Sequence, residues 1–202
     1  NTPESDEYYY GEAKQFLKEK IEFKQIKFKS YGTDQYNRTL ALVYYENENV
    51  NLRMISEGYA TPYFTSKNSI LTEINLAFEK CVENQIGLCK SSMDLCALCI
   101  KLKELNYTEE YFTLENKCDY DCNLNNWHVK DSTSKNRFIL TNVTIKGNSE
   151  MHFYTANGIN SVYGYYLCSS KNCPPIWNND FDSFYLRSSD GGLVIYFNYF
   201  SS

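Results

Sequence analysis

The stretch Thr33-Asp34-Gln35-Tyr36-Asn37-Arg38-Thr39-Leu40-Ala41 decides how the first half of the chain is read. Gly32-Thr33-Asp34 has turn chemistry, and Arg38 to Tyr45, rich in Leu, Val and Tyr, reads as a strand. On its N-terminal side, Phe23 to Phe28 alternates apolar and polar residues, which predicts a second strand. Before that, Gly11 to Ile21 reads as an amphipathic helix, with Ala13, Phe16, Leu17 and Ile21 on one face. Downstream, Val50 to Glu57 predicts a short helix stopped by Gly58, where a left-handed C-cap is expected. Ser69 to Asn84 predicts a longer helix that buries Ile70, Ile74, Ala77, Phe78 and Cys81, with Gly87 just beyond it.

Past Ser91 the helical period disappears. Short runs of β-branched and aromatic residues alternate with Asn, Ser, Gly and Asp: Tyr111–Leu114, Trp127–Val129, Phe138–Leu140, Met151–Tyr154, Phe184–Leu186 and Leu193–Tyr199. That spacing predicts an all-β sandwich. The change of texture near Cys89–Cys96 divides the chain into domains 1–92 and 93–202, α+β first and all-β second.

Asn1-Thr2-Pro3-Glu4, the first helix, residues 33–41, Val50-Asn51 and Ser56-Glu57-Gly58-Tyr59-Ala60 follow one another in an order that resembles the thermonuclease (staphylococcal-nuclease-like) family. That family shows Asp-Thr-Pro-Glu, a helix, Asp-Lys-Tyr-Gly-Arg, then a short helix ending in Gly-x-Ala. The resemblance implies an OB-fold barrel with helices, acting on phosphodiesters. It implies Glu4 as general base and Arg38 as a bidentate phosphate clamp. It implies a calcium ion held by Asn1, Thr2 and Glu4, since calcium takes hard oxygen ligands. Tyr36 and Tyr63 would line the nucleotide pocket. Three departures bear on activity. Asn1 stands where the family has Asp, and Gln35 and Asn37 replace its Lys and Gly. The family's first three strands, which carry a further Asp and a further Arg, precede the motif with which this chain opens. The expected first domain is therefore a partial barrel lacking its first strands.

The second half carries Cys122-Asn123-Leu124-Asn125-Asn126-Trp127, then Ile176-Trp177-Asn178-Asn179-Asp180-Phe181-Asp182-Ser183-Phe184-Tyr185-Leu186, then Ser189-Asp190-Gly191-Gly192-Leu193-Val194. These ordered blocks resemble the lamin-tail domain, an immunoglobulin-like sandwich, over about residues 95–200. The resemblance implies a binding or assembly module without catalysis. Trp127 and Trp177 are expected as core anchors, and Asp182 with Asn178 and Asn179 as turn organisers. His128 and His152 have no metal-spaced companion.

The formal charge is −5, so bulk electrostatics oppose a polyanion and a nucleic-acid function would need a local basic site or a cation. No apolar run is long enough to span a membrane. Eight cysteines fall in close pairs, Cys81/Cys89, Cys96/Cys99, Cys118/Cys122 and Cys168/Cys173, as disulfides of an oxidising compartment would require. Spacing leaves their connectivity open. A zinc site built on Cys96-Ala-Leu-Cys99 is the weaker alternative, because no second C-x-x-C exists. Sequons at Asn37, Asn106 and Asn142 agree with an extracellular or cell-surface location.

Two functions remain open. One is a secreted, calcium-dependent nuclease on DNA or RNA with a C-terminal tether. The other is an extracellular assembly protein, an oligomer or filament. In it the barrel is completed by an N-terminal fragment or another subunit.

Overall fold

Ala13, Phe16, Leu17 and Ile21 share one stripe of helix α1 (Tyr10–Ile21), with Ala13 buried and the Phe16 ring stacked 4.5 Å from Tyr59. This helix belongs to the first of two compact units, Asn1–Lys90 and Ser91–Ser202. The computed structural model describes residues 1–33, 37–63, 70–133, 136–168 and 173–200. The strand expected over Phe23 to Phe28 begins later, as β1 (Lys27–Thr33). Phe23 takes φ 57° and is fully exposed, while the Lys24 N–H still donates to the Ile21 carbonyl. The helix end unwinds through the residues whose alternation suggested a strand, and β1 runs on through Gly32 and Thr33, the expected turn.

β1 pairs antiparallel with β2 (Thr39–Tyr45), with a register break between Ser30 and Thr33. β2 turns through Glu46 and Asn47, at φ 49° and 64°, into β3 (Glu48–Asn49). Two successive left-handed residues form the tight hairpin that matches strand twist. The Asn49 side chain then accepts the Leu52 N–H and caps α2 (Val50–Ser56). Gly58 follows at φ 75°, as the C-cap reading expects. A Cβ on Gly58 would lie 2.4 Å from the Ile86 carbonyl oxygen, so glycine is also required by a backbone crossing. Helix α3 (Leu71–Asn84) buries Phe78 and Cys81; Ser69, where the longer helix was expected to start, lies outside the described residues. Every residue of β1 is exposed and none of β2 is buried, although β2 reads Thr-Leu-Ala-Leu-Val-Tyr-Tyr.

The second unit is built of strands. In chain order they are β4 (Ile100–Asn106), β5 (Tyr111–Asn116), β6 (Cys122–Asn123), β7 (His128–Lys130), β8 (Arg137–Ile139), β9 (Thr144–Ile145), β10 (Ser149–Asn157), β11 (Gly164–Cys168), β12 (Phe181–Arg187) and β13 (Leu193–Phe200). They form the sheets β11-β10-β5-β4 and β13-β12-β7-β8 beside a β6-β9 pair, a sandwich-type arrangement. β4 and β11 were not expected from the sequence. Inward residues of both sheets make one core: Phe112 stacks on Phe153 at 4.8 Å and meets Phe184 edge-on at 5.0 Å. Trp127 and Trp177 are buried in it, the roles expected of them.

Carboxylates knit the loops around this core. Asp182 accepts the backbone N–H groups of Ser132, Asn178 and Ser183, and Glu110 accepts those of Ile176 and Trp177. Asp131 takes hydrogen bonds from Thr133 and Asn136. Burial nonetheless pushes its carboxyl up to about 6, and the charge of Asp182 adds to the rise.

All eight cysteines are paired. Cys81–Cys89 and Cys168–Cys173 join sequence neighbours, but the middle four pair as Cys96–Cys122 and Cys99–Cys118. The two cysteines of the C-x-x-C thus bind different partners on the segment after β5, and no thiol remains for a zinc site.

Candidate active site

Asn1-Thr2-Pro3-Glu4 is held by backbone pairing with the segment that leaves α2. The Asn1 backbone N–H donates to the Thr61 carbonyl at 2.7 Å, and the Thr61 N–H returns a bond to the Asn1 carbonyl at 2.8 Å. Pro3 and Pro62 are buried on either side of this pair. Glu4 is exposed; its N–H donates to a Glu7 carboxylate oxygen, and the Glu7 N–H donates to the Glu4 carbonyl, making a turn ahead of α1. Its carboxylate is thus presented to solvent from a fixed backbone. Arg38 is exposed immediately before β2, after Asn37 at φ 61°.

A cavity of about 470 Å³ opens in the first unit. Its lining includes Asn1, Thr2 and Tyr63 at one side, and apolar groups such as Leu17, Leu40, Leu42, Met54 and Ile74 elsewhere. The structure therefore brings Asn1, Thr2 and Tyr63 together, with Tyr63 exposed. Glu4 and Arg38 are not among its lining residues. Tyr36 lies outside the described residues. Asn51 of the Val50-Asn51 motif also lines the cavity, a position that the sequence pattern does not reveal.

The donors proposed for calcium are all oxygens, which suits a hard cation, but Glu4 is the sole carboxylate of the three. Among the described residues no group of three or more His, Cys, Asp or Glu side chains is placed to hold a metal. Three oxygen donors would fill only part of the roughly six to eight positions that calcium takes.

Residues 99–201, half of the chain, match the lamin tail domain family. The chain belongs to that family. Ahead of its lamin tail domain, residues 1–89 match the staphylococcal nuclease homologue family. An uncharacterized endonuclease of Haemophilus influenzae is 35% identical over 63 residues, covering 31% of this chain and 35% of that protein. The chain thus spans about a third of the length of this curated relative. In the lamin tail domain, the carboxylates of Asp182 and Glu110 accept backbone N–H groups of its own loops.

Proposed function

We propose that the chain is a phosphodiesterase acting on DNA or RNA. The match of residues 1–89 to the nuclease homologue family carries this reading, because it covers both Glu4 and Arg38. Glu4 takes a proton from water as the water oxygen bonds to phosphorus. The Arg38 guanidinium bonds two non-bridging oxygens and meets the charge that builds there. The bond from phosphorus to the leaving oxygen breaks, and that oxygen is protonated by solvent. Tyr63, with Tyr36, contacts the nucleotide. Asn1 and Thr2 with Glu4 would be the oxygen donors to a calcium ion, which would supply positive charge beside the phosphate. Four disulfides agree with an extracellular setting, and no described helix is long and apolar enough to cross a membrane. The lamin tail domain would then serve as the binding or tethering module.

The test is cleavage of a defined oligonucleotide with calcium and with chelator. Glu4→Gln and Arg38→Ala are expected to lose about 100-fold or more. Equal activity of wild type and both variants would rule the reading out.

The exposed sheet supports a second reading, in which the first unit is a barrel part used for assembly. A strand as apolar as β2 with no buried residue, beside a cavity with apolar lining, is suited to receive further strands. Those strands would come from another segment of the gene product or from another subunit, and a subunit that adds strands without closing a ring would build filaments. Native mass spectrometry separates the cases: a monodisperse species at 23.6 kDa would sink the assembly reading.

A further inference from the structure

Asn51 stands in for a neighbouring strand along β2. Its Oδ1 accepts the Val43 N–H at 2.8 Å and its Nδ2 donates to the Ala41 carbonyl at 3.3 Å. A side-chain amide offers one acceptor and a donor in one plane, as a peptide group does. Residues 41 and 43 present their backbone groups to the same edge of the strand, so a single amide can pair with both.

What makes this pairing consequential is where the rest of the ladder stops. On one edge, β1 pairs regularly from Lys27↔Tyr44 to Ser30↔Ala41, then loses register before Thr33↔Thr39. On the other edge, β3 reaches only Tyr44 and Tyr45. Beyond both of these regular stretches lies the end of β2 that leads to Arg38. Its regular ladder on the β1 side ends at Ala41, the residue whose carbonyl Asn51 holds. The irregularity between Ser30 and Thr33 lets the strand bend locally, so what fixes residues 41 and 43 bears on the direction in which the chain leaves toward Arg38. Asn51 itself is fixed in the first turn of α2, whose cap and buried Val50, Met54 and Ile55 anchor it to the unit's core.

We infer that Asn51 is the positioning residue for Arg38: its amide fixes residues 41 and 43 of β2 from α2 and thereby places the guanidinium against the phosphate. This inference rests on the phosphodiesterase reading above. A residue that acts only through Arg38 has a specific signature, because its removal costs nothing once Arg38 is gone. A residue that merely supports the fold instead multiplies its loss with that of Arg38→Ala.

The experiment is a double-mutant cycle on the full chain, with wild type, Arg38→Ala, Asn51→Ala and the two combined. Asn51→Asp is added as a variant of equal size that keeps the acceptor and loses the donor. Steady-state cleavage of a single-stranded oligonucleotide gives kcat and KM, and hydrogen exchange reports the Val43 amide. Both Asn51 variants are expected to lower kcat/KM by about 10- to 100-fold. The Val43 amide is expected to exchange faster in Asn51→Ala, with α3 unchanged, and the combined variant to match Arg38→Ala. Wild-type activity in Asn51→Ala would overturn the inference, as would a multiplicative double variant or an unchanged Val43 amide. Those results differ from failure of the underlying reading, in which wild type itself would neither cut nor bind the strand and the inference would fall with it.

Discussion

β2 and β12 are each seven residues long and rich in apolar groups, yet β2 buries none of its residues while β12 buries all but its first. The difference lies in what faces them. β12 sits between β13 and β7, with a second sheet supplying Phe112, Phe153 and Leu114 across the core. β2 has strand neighbours, but its apolar groups border a cavity lined in part by helices. A strand's composition sets what it is able to bury; a second layer decides whether burial happens.

The largest effect is expected at Phe112→Ala, which removes a ring packed against three aromatic neighbours. It should cost about 3–5 kcal/mol in the unfolding of the second unit, read by urea titration of near-ultraviolet circular dichroism. Next comes loss of Cys99–Cys118 by Cys99→Ala with Cys118→Ala. The bridge spans a sequence separation of 19, so its removal should cost about 3 kcal/mol in the same titration.

Asp131 gives a pH effect of opposite sign to ordinary acid denaturation. Its folded value of about 6 lies above the 3.8 of the unfolded chain. The native state therefore holds the proton more tightly. The second unit should gain stability as pH falls from 7 towards 4, and lose it again on the way back up. Linkage puts the amplitude on the order of 2–3 kcal/mol. Asp131→Asn should flatten that profile, and an unaltered profile in the variant would assign the dependence elsewhere. The smallest effect is expected in the first unit: Leu42→Ala should cost about 1 kcal/mol or less. A cost equal to that of Phe112→Ala would mean that β2 is covered in solution, and the contrast between the units would collapse.

The sandwich was legible because its inward residues alternate and its turns are marked by Asn, Gly and Asp. Trp127 and Trp177 marked the core through the motif blocks that resemble the lamin-tail domain. β4 escaped notice because Lys101, Lys103 and Glu104 dilute its apolar residues, and β11 because three consecutive apolar residues, Tyr165 to Leu167, show no period. Phe23 misled because alternation cannot distinguish a strand from a fraying helix end followed by a coil. The motifs of the first unit were legible in their order, and the backbone pairing that pins Asn1 to Thr61 was not. That pairing joins residues sixty apart through main-chain groups, which no side-chain pattern records. The role of Asn51 was hidden for the same reason, since its partners are the backbone of β2.

The nested arrangement of the middle cysteines has a consequence for biosynthesis. Cys99–Cys118 is nested inside Cys96–Cys122, so both cysteines of the C-x-x-C leave the ribosome before either correct partner exists. Oxidation at that moment has only upstream cysteines or the C-x-x-C pair itself to join. Reaching the final pattern then requires attack by a later thiolate and exchange through a mixed disulfide, a process of seconds to hours depending on oxidant and isomerase. The yield of this chain from a producing cell should accordingly follow the supply of reshuffling thiols more closely than the supply of oxidant.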